Sequence, residues 1–238
     1  MDQDKRLHTL PPLTMRLSMR SDCPYISGRT EQRVAVDISE NPALHDELAK
    51  AGFRRVENWV YKPVCPDCQA CLPWRVRVEG FRPSRNLQRI ARTNADLTRK
   101  IGPIRPTNEQ YKLFLKYIRE RHRDGQMANM GHDEFVSMIE NSPIETFVAN
   151  YRDAGGKLVG CVLTDVQEDG LSAVYSFFDP GKSKQSFGTY MILDHIALAV
   201  ELEVPYLYLG YWVPGSSKMD YKVNFKGVEI FQNNSWQP

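Results

Sequence analysis

Cysteines are the residues in this sequence best suited to metal chemistry, and three of the five are closely spaced. Cys65, Cys68 and Cys71 form a C-x2-C-x2-C pattern between two prolines, and Cys23 lies far upstream. Four thiolates suit a tetrahedral zinc ion or an iron–sulfur cluster. The spacing therefore predicts a metal on these four residues, the alternative being reduced thiols that pack a small subdomain. Cys161 lies inside a predicted strand, where a thiol behaves as a small buried hydrophobe.

Basic side chains are concentrated in residues 75–105. This segment holds nine Lys or Arg against two acids, a charge of +7 in a chain of net charge +2, so the remainder carries −5. Arg82, Arg85, Arg89 and Arg92 follow one another at helical spacing and are predicted to share one face. Such a face fits the phosphates of A-form RNA, which is recognised by shape. The alternative is an exposed basic face without a partner.

Six strings along the chain resemble the aminoacyl-tRNA–protein transferases. They are CPYISGR (23–29), CPDCQACLPWRV (65–76), FRPSRNLQR (81–89), YSFFDP (175–180), SFGTYMILDHI (186–196) and YLYLGYWVPGSSKMDYKVNFKG (206–227). The short length and the cysteine pattern resemble the bacterial aspartate/glutamate leucyltransferase branch more than the longer arginyltransferases. The resemblance implies transfer of leucine from leucyl-tRNA to proteins that begin with Asp or Glu, which creates an N-degron. Arginyl transfer to the same acceptors is the alternative within the family.

The resemblance also bears on the cysteines. The arginyltransferases carry an N-terminal cysteine cluster that holds an iron–sulfur centre, but they arrange it as two separated pairs. This sequence departs from that arrangement, so the resemblance leaves the type of metal open.

The implied reaction is aminolysis of an activated ester by an α-amine whose pKa is about 7.7–8.0 when free. Orientation, one proton path and one oxyanion contact supply most of the rate, so the chemistry requires no protein nucleophile and no cofactor. We expect the site where the central strands separate, with Tyr175, Ser176 and Asp179 on one strand and Tyr208 and Tyr211 on its neighbour. A Tyr or Asp is expected to relay the proton. The alternative is that Tyr175 belongs to the core and Asp179 to a turn.

A loop before a long helix is a second candidate for RNA contact. Lys182, Lys184 and Gln185 precede this helix, whose first N–H groups suit phosphate. The loop resembles the Q/R-x-x-G-x-G/A loop of acetyl-CoA enzymes, but Tyr190 replaces the final small residue and is expected to crowd a pyrophosphate. We therefore predict that it binds the tRNA 3′ end. The alternative is a simple turn capped by Ser186.

Further cations are candidates for both substrates. Lys218, Lys222 and Lys226 are predicted to hold acceptor-stem phosphates, or to pair with the acidic side chain of the acceptor. A guanidinium is the natural partner of that carboxylate, and Arg29, Arg75 and Arg77 are the candidates. Arg75 and Arg77 fall on the same face of their predicted strand.

The order of predicted elements indicates an α+β protein with a GCN5-related N-acetyltransferase-like domain at residues 106–238. A smaller domain at residues 1–105 carries the cysteines and the basic helix. The expected helices are 40–52, one starting at Pro83–Ser84, 108–121, 133–140 and 187–203. The expected strands are 53–62, 74–81, 145–152, 158–166, 171–178, 206–213 and 228–231.

Bulk properties narrow the class of protein. The chain has 238 residues, 42% of them hydrophobic, as expected for a globular protein. Its N-terminus lacks an apolar signal region and its longest apolar run, 196–200, is too short to span a bilayer, so we expect a cytoplasmic protein with no membrane partner. The odd cysteine count argues against a disulfide framework. Two competing functions are an acyl-CoA-dependent N-acetyltransferase, and a non-enzymatic RNA-binding module that combines the arginine stripe with a zinc knuckle.

Overall fold

The structure is a computed structural model that describes residues 14–123, 125 and 127–238. Four side chains lie outside this description, those of Ser217, Lys218, Asp220 and Val223. The helices in the described part are α1 (Leu44–Lys50), α2 (Arg85–Thr93), α3 (Asn108–Arg121), α4 (His132–Glu140) and α5 (Phe187–Glu201), with 3₁₀ segments at Pro180–Gln185 and Ser217–Asn224. No helix in these ranges is long and apolar enough to cross a membrane.

The strands in the described part belong to three sheets. They are β1 (Met15–Leu17), β2 (Ser21–Asp22), β3 (Thr30–Glu31), β4 (Arg33–Asp37), β5 (Arg54–Val56), β6 (Trp59–Pro63), β7 (Leu72–Arg77), β8 (Thr98–Gly102), β9 (Thr146–Arg152), β10 (Leu158–Gln167), β11 (Gly170–Phe178), β12 (Tyr206–Trp212), β13 (Val228–Gln232) and β14 (Ser235–Gln237).

An eight-stranded sheet with the order β14-β13-β7-β12-β11-β10-β9-β8 forms the centre of the molecule. Adjacent strands of this sheet run antiparallel, except β11 and β12, which run parallel to each other. β10 is buried along almost its whole length, as expected for a strand covered on both faces. α3 and α4 cover one face, where Phe114, Phe135 and Phe177 pack together, and α2 and α5 cover the other.

Local capping fixes where two of these helices begin. The Ser84 hydroxyl accepts a hydrogen bond from the Leu87 N–H at the start of α2. Thr107 and Gln110 bond each other's backbone N–H groups at the start of α3. Both arrangements satisfy N–H groups that have no partner inside the helix, so the basic helix starts where the sequence predicts.

A smaller sheet, β1-β4-β6-β5, packs with α1 around Val36, Ile38 and Val60. It is joined to the large sheet by a buried ion pair in which Arg55 of β5 donates to both oxygens of Asp165 on β10, at 2.7 and 2.6 Å. The smaller sheet therefore lies against the centre of the larger one.

The predicted α+β class and the predicted helices are confirmed, and most of the predicted strands are found. The prediction of one strand at 53–62 was wrong, because Glu57 takes a left-handed φ of +50° and turns the chain into the β5–β6 hairpin. β7 and β8 lie in the large sheet. The sheet thus extends across the division at residue 105 that the sequence predicts.

Candidate functional site

The strands β11 and β12 separate after three paired residues, and this opens the centre of the large sheet. Their pairing joins Gly170–Ser172 to Tyr206–Tyr208. Beyond it, β11 has an irregularity at Val174 and β12 has one between Tyr208 and Tyr211. Such bulges release backbone groups from the ladder. We call the space between the two strands beyond this pairing the strand split.

Arg54 of β5 inserts its guanidinium into the strand split. Its Nη2 donates to the Val174 carbonyl. The guanidinium occupies space that a Cβ atom at residue 210 would overlap, and Gly210 leaves this space open at a left-handed φ of +69°. Arg54 is half-buried, and among the described residues no carboxylate lies within ion-pair distance of it. Within the part of the chain that the structure describes, Arg54 is therefore a half-buried cation without a carboxylate partner.

Tyrosines lie close enough to Arg54 for its charge to act on their hydroxyls. Burial raises the pKa of Tyr25, Tyr175 and Tyr211, and the positive charge of Arg54 opposes this rise without cancelling it. Tyr221 also lies within reach of that charge. With a raised pKa a phenol stays protonated at neutral pH, so these groups act as hydrogen-bond donors and not as bases.

Lys222 lies beneath β12 and not on the surface. It is only 3% exposed, and its Nζ donates to the carbonyls of Leu209 and Tyr211 at 2.9 and 2.5 Å. Burial, with a smaller effect of Arg54, lowers its pKa to about 7. This position differs from the surface phosphate contact that the sequence predicts. The predicted contact of Lys218 lies outside the described side chains.

The predicted catalytic residues are not all brought together. Tyr175 and Tyr211 both lie near Arg54, whereas Ser176 points to the opposite face of β11 from Tyr175 because side chains alternate along a strand. The Tyr211 hydroxyl lies 2.9 Å from the Tyr61 carbonyl, to which it donates. That contact anchors β12 to β6.

Asp179 has the contacts of a turn residue. Its carboxylate accepts from Lys116 Nζ at 2.6 Å, Lys157 Nζ at 3.4 Å and the Gly181 N–H at 3.0 Å. Partial burial alone raises its pKa, but these contacts outweigh burial and lower it. A carboxylate held in this way is a weak base, so the structure favours the turn interpretation over proton relay.

A cavity of about 800 Å³ adjoins the strand split at Tyr25 and Tyr211. Arg29, Arg33 and Lys62 line it. Arg33 is paired with Glu31, N–O 2.9 Å. Arg29 and Lys62 each donate to a backbone carbonyl, at 3.1 Å, and neither has a carboxylate partner among the described residues. Within the described residues the cavity therefore offers two positive charges that no carboxylate neutralises.

The four predicted metal ligands, Cys23, Cys65, Cys68 and Cys71, line this same cavity as free, half-buried thiols. Burial, together with the other three cysteines, raises the pKa of Cys71 to about 11. The donor set fits zinc or an iron–sulfur cluster. As placed, no three metal-binding side chains in the described part form a coordination cage, so the metal stays a prediction. Cys161 is fully buried in the core, as predicted.

The predicted pair of acceptor-binding arginines is separated by environment. Arg75 is buried, paired with Glu229 at 2.7 Å, and donates to the Tyr208 hydroxyl at 2.8 Å. Arg77 is exposed and paired with Glu79 at 2.9 Å. Because Arg75 is enclosed with its own acid, the structure does not make the two a joint clamp.

The arginines of α2 are exposed along one face, as predicted. Arg85, Arg89 and Arg92 are exposed, whereas Arg82 precedes the helix and donates to a neighbouring carbonyl. The end of α2 is tied to the 180–185 segment, which carries Lys182 and Lys184, because Asn94 Nδ2 donates to the Gln185 carbonyl at 3.0 Å. Ser186 begins α5 with a left-handed φ of +54° and makes no side-chain cap. Two of the predicted RNA-contact segments therefore adjoin each other.

Nearly the whole chain matches known transferases. The profile described as arginine-tRNA-protein transferase, N terminus, matches residues 21–89, and the C-terminus profile matches residues 109–232. The aspartate/glutamate leucyltransferase of Dinoroseobacter shibae is 46% identical to this chain, and the match covers 97% of this chain and 86% of the relative. The aspartate/glutamate leucyltransferase of Ruegeria pomeroyi is 48% identical, and that match also covers 97% of this chain and 86% of the relative. The chain belongs to the aspartate/glutamate leucyltransferase family.

The fold of this leucyltransferase family member is found in a distant solved structure. The crystal structure of FemX matches 94% of this chain and 87% of its own with a TM-score of 0.51 and 9% identity. This likeness concerns the fold alone.

Arg54 and Lys62 were not singled out from the sequence. Both lie in the aromatic stretch FRRVENWVYK, and nothing in its spacing marks one arginine over its neighbour. The available signal was alternation, because successive residues on a strand face opposite sides. Alternation alone does not show which of the two arginines is paired. The difference between Arg54 and Arg55 comes from what each one contacts in the fold.

Proposed function

We propose that this protein transfers leucine from leucyl-tRNA to the α-amine of proteins that begin with Asp or Glu. The observation that carries the proposal is the match of almost the whole chain to aspartate/glutamate leucyltransferases. The strand split supports it, because it is an opening in the sheet lined by protonated phenols and by a guanidinium that has no carboxylate partner in the described part of the chain. Such a site suits an ester carbonyl that gains negative charge.

The chemistry is direct aminolysis. The α-nitrogen of the acceptor forms a bond to the leucyl carbonyl carbon, and the bond from that carbon to the ribose oxygen breaks. The amine loses one proton and the departing ribose hydroxyl gains one. Holding both substrates in register supplies the rate, and no protein nucleophile takes part.

The acceptor enters through the 800 Å³ cavity, which adjoins the strand split. Arg29 and Lys62 bind the carboxylate of its first side chain, because they are the cavity cations without a carboxylate partner in the described part. Lys62 has a lowered pKa through burial, and a bound carboxylate offsets that cost.

The tRNA body lies against the exposed arginines of α2 and the adjoining lysines, Lys182 and Lys184. These contacts are to phosphates and lack sequence information. Arg85→Ala and Arg89→Ala are expected to weaken tRNA binding and to flatten its salt dependence by about 0.7 in log–log slope each. A slope equal to that of the wild type contradicts this surface.

Cys23, Cys65, Cys68 and Cys71 hold a zinc ion or an iron–sulfur cluster that cross-links their two loops beside the acceptor cavity. The group has a structural role in this proposal and takes no part in the transfer. Metal analysis of anaerobically purified protein, with Cys68→Ser as the matched variant, tests it. Equal metal content in the two proteins contradicts it.

The product is a new N-terminal leucine, which serves as a degradation signal, and the reaction takes place in the cytoplasm, where charged tRNA is available. The test is to incubate the protein with radiolabelled leucyl-tRNA and peptides that start with Asp, Glu, Lys or Arg. Label on the Asp and Glu peptides alone supports the proposal. If label is transferred from arginyl-tRNA and not from leucyl-tRNA, the donor amino acid is arginine. If the protein binds tRNA but transfers no label, it is an RNA-binding module and not an enzyme.

A further inference from the structure

We propose that Arg54 binds the carbonyl oxygen of the aminoacyl ester and stabilises the negative charge that this oxygen gains during attack. The inference rests on the proposed function and assigns one residue its catalytic contact. It begins from the position of the guanidinium, which lies in the strand split against Val174 and Gly210.

Most N–H groups of Arg54 have no acceptor among the described residues. A guanidinium has five N–H groups, and in the described part of the chain one of them is used, in the bond from Nη2 to the Val174 carbonyl. That bond fixes the plane of the group between the two strands. The remaining donors of a half-buried, oriented guanidinium suit an oxyanion, which takes two donors at once.

The surroundings strengthen such a contact. The nearby phenols of Tyr25, Tyr175 and Tyr211 stay protonated and carry no negative charge to compete. A half-buried charge without a counterion has an unfavourable desolvation cost. The same chain supplies Arg55 with a carboxylate at 2.6 Å. Arg54, which has no carboxylate partner among the described residues, therefore matches a negative charge that appears only during the reaction.

The alternative ligand of Arg54 is the acceptor carboxylate, and the positions of the cations decide against it. The cavity that admits the acceptor is lined by Arg29, Arg33 and Lys62, and Arg54 is not among its lining residues. Arg54 lies in the strand split, where the proposed function places the ester. Its ligand is therefore the donor carbonyl.

The step balances without any proton transfer to or from Arg54, which stays protonated and charged throughout. As the α-nitrogen bonds to the carbonyl carbon, the π electron pair moves to the oxygen that Arg54 holds. When the pair returns, the ribose oxygen leaves and takes up the proton released by the amine. Arg54 contributes charge and position only.

The test compares Arg54→Gln and Arg54→Lys with the wild type. The control is Arg152→Gln, which changes a partly exposed arginine that is paired with Glu109. The expected result is a kcat that falls about 10²–10³-fold in Arg54→Gln, a smaller fall in Arg54→Lys, and a KM for leucyl-tRNA that changes little. Arg152→Gln keeps its kcat. Thermal unfolding checks that each variant is folded.

Binding of two analogues gives a readout that a purely structural role does not move. A phosphonate analogue of leucyl-adenosine mimics the charged tetrahedral adduct, and the amide analogue mimics the neutral ester. Arg54→Gln is expected to weaken the phosphonate about 10²-fold and the amide less than about threefold. Equal losses for both, or an unchanged kcat, overturn the role of Arg54. If the wild type transfers no leucine, the proposed function fails instead.

Discussion

Two neighbouring arginines on β5 lie in opposite electrostatic environments. Arg55 is buried and donates to both oxygens of Asp165 and to the carbonyls of Glu57 and Asn141. Arg54, one residue earlier, has the Val174 carbonyl and no acid in the described part. Asp165 also accepts from the Thr146 hydroxyl at 2.9 Å, so the Arg55 side is a closed network and the Arg54 side is open.

This contrast separates charges that hold the fold from charges that await a substrate. A buried ion pair with complete hydrogen bonding is a structural joint, here between the smaller sheet and the larger one. A half-buried cation without an acid is unfavourable for stability alone. Arg75 with Glu229 repeats the closed arrangement. Lys222 repeats the open one, because its partners among the described residues are carbonyls and not acids.

The largest expected effect comes from breaking the closed side. Arg55→Met leaves the buried carboxylate of Asp165 without its guanidinium partner, and we expect a loss of about 3–5 kcal/mol in the free energy of unfolding. Chemical denaturation measures it. In the double variant Arg55→Met/Asp165→Leu most of the loss is expected to be recovered. If Arg55→Met lowers the free energy of unfolding by less than about 1 kcal/mol, Arg55 does not have the structural role that distinguishes it from Arg54.

Lys222, a buried lysine with carbonyl partners, is tested by the pH dependence of protein stability. Its folded pKa of about 7 lies below the ordinary value of 10.5, so between these values the unfolded chain binds more protons and wild-type stability rises with pH. Relative to Lys222→Met, the wild type is expected to gain about 2 kcal/mol from about pH 7 to about pH 9. Unfolding curves measured across that range give the difference. Parallel pH profiles for the two proteins contradict a buried, low-pKa lysine.

Arg75 and Arg29 sharpen the contrast among the predicted acceptor contacts. Arg75→Gln leaves Glu229 without its partner, and we expect a loss of about 2–3 kcal/mol of stability with an unchanged KM for Asp peptides. Arg29→Gln is expected to leave stability unchanged and to raise that KM about tenfold or more. Steady-state kinetics with denaturation curves separates the two. The reverse pattern restores Arg75 as the acceptor clamp.

Gly210 gives the smallest expected change. Both Gly210→Ala and Gly156→Ala place a side chain at a positive φ, but only residue 210 has Arg54 in the space of the new Cβ atom, whereas Gly156 has open space around it. We expect each to lose about 1–2 kcal/mol of stability. Only Gly210→Ala is expected to slow transfer, about tenfold. Equal transfer rates for Gly210→Ala and Gly156→Ala contradict the claim that transfer depends on the position of Arg54.

The fold was largely predictable from local patterns, and the site was not. The helix that starts at Pro83–Ser84 and the strand predicted at 158–166 are both found, because short-range bonds and burial decide them. The separation of Arg54 from Arg55 depends on Asp165, which lies 110 residues away. Long-range partners of this kind leave no trace in local spacing.

The same reason explains the predictions that the structure altered. Lys222 lies in a polar stretch that suggests the surface, yet the carbonyls that hold it come from the bulged strand β12. Asp179 was expected to move a proton, and its lysine partners come from α3 and from the turn before β10. The family resemblance predicted the reaction because it depends on the whole string of residues and not on any one contact.

The most direct test of the central claim is mass spectrometry of a peptide that begins with Glu after reaction with leucyl-tRNA and this protein. The account predicts one added leucyl residue, located by fragmentation on the α-nitrogen, and none on the same peptide with an acetylated N-terminus. An unmodified Glu peptide, or leucine attached to a side chain, contradicts it.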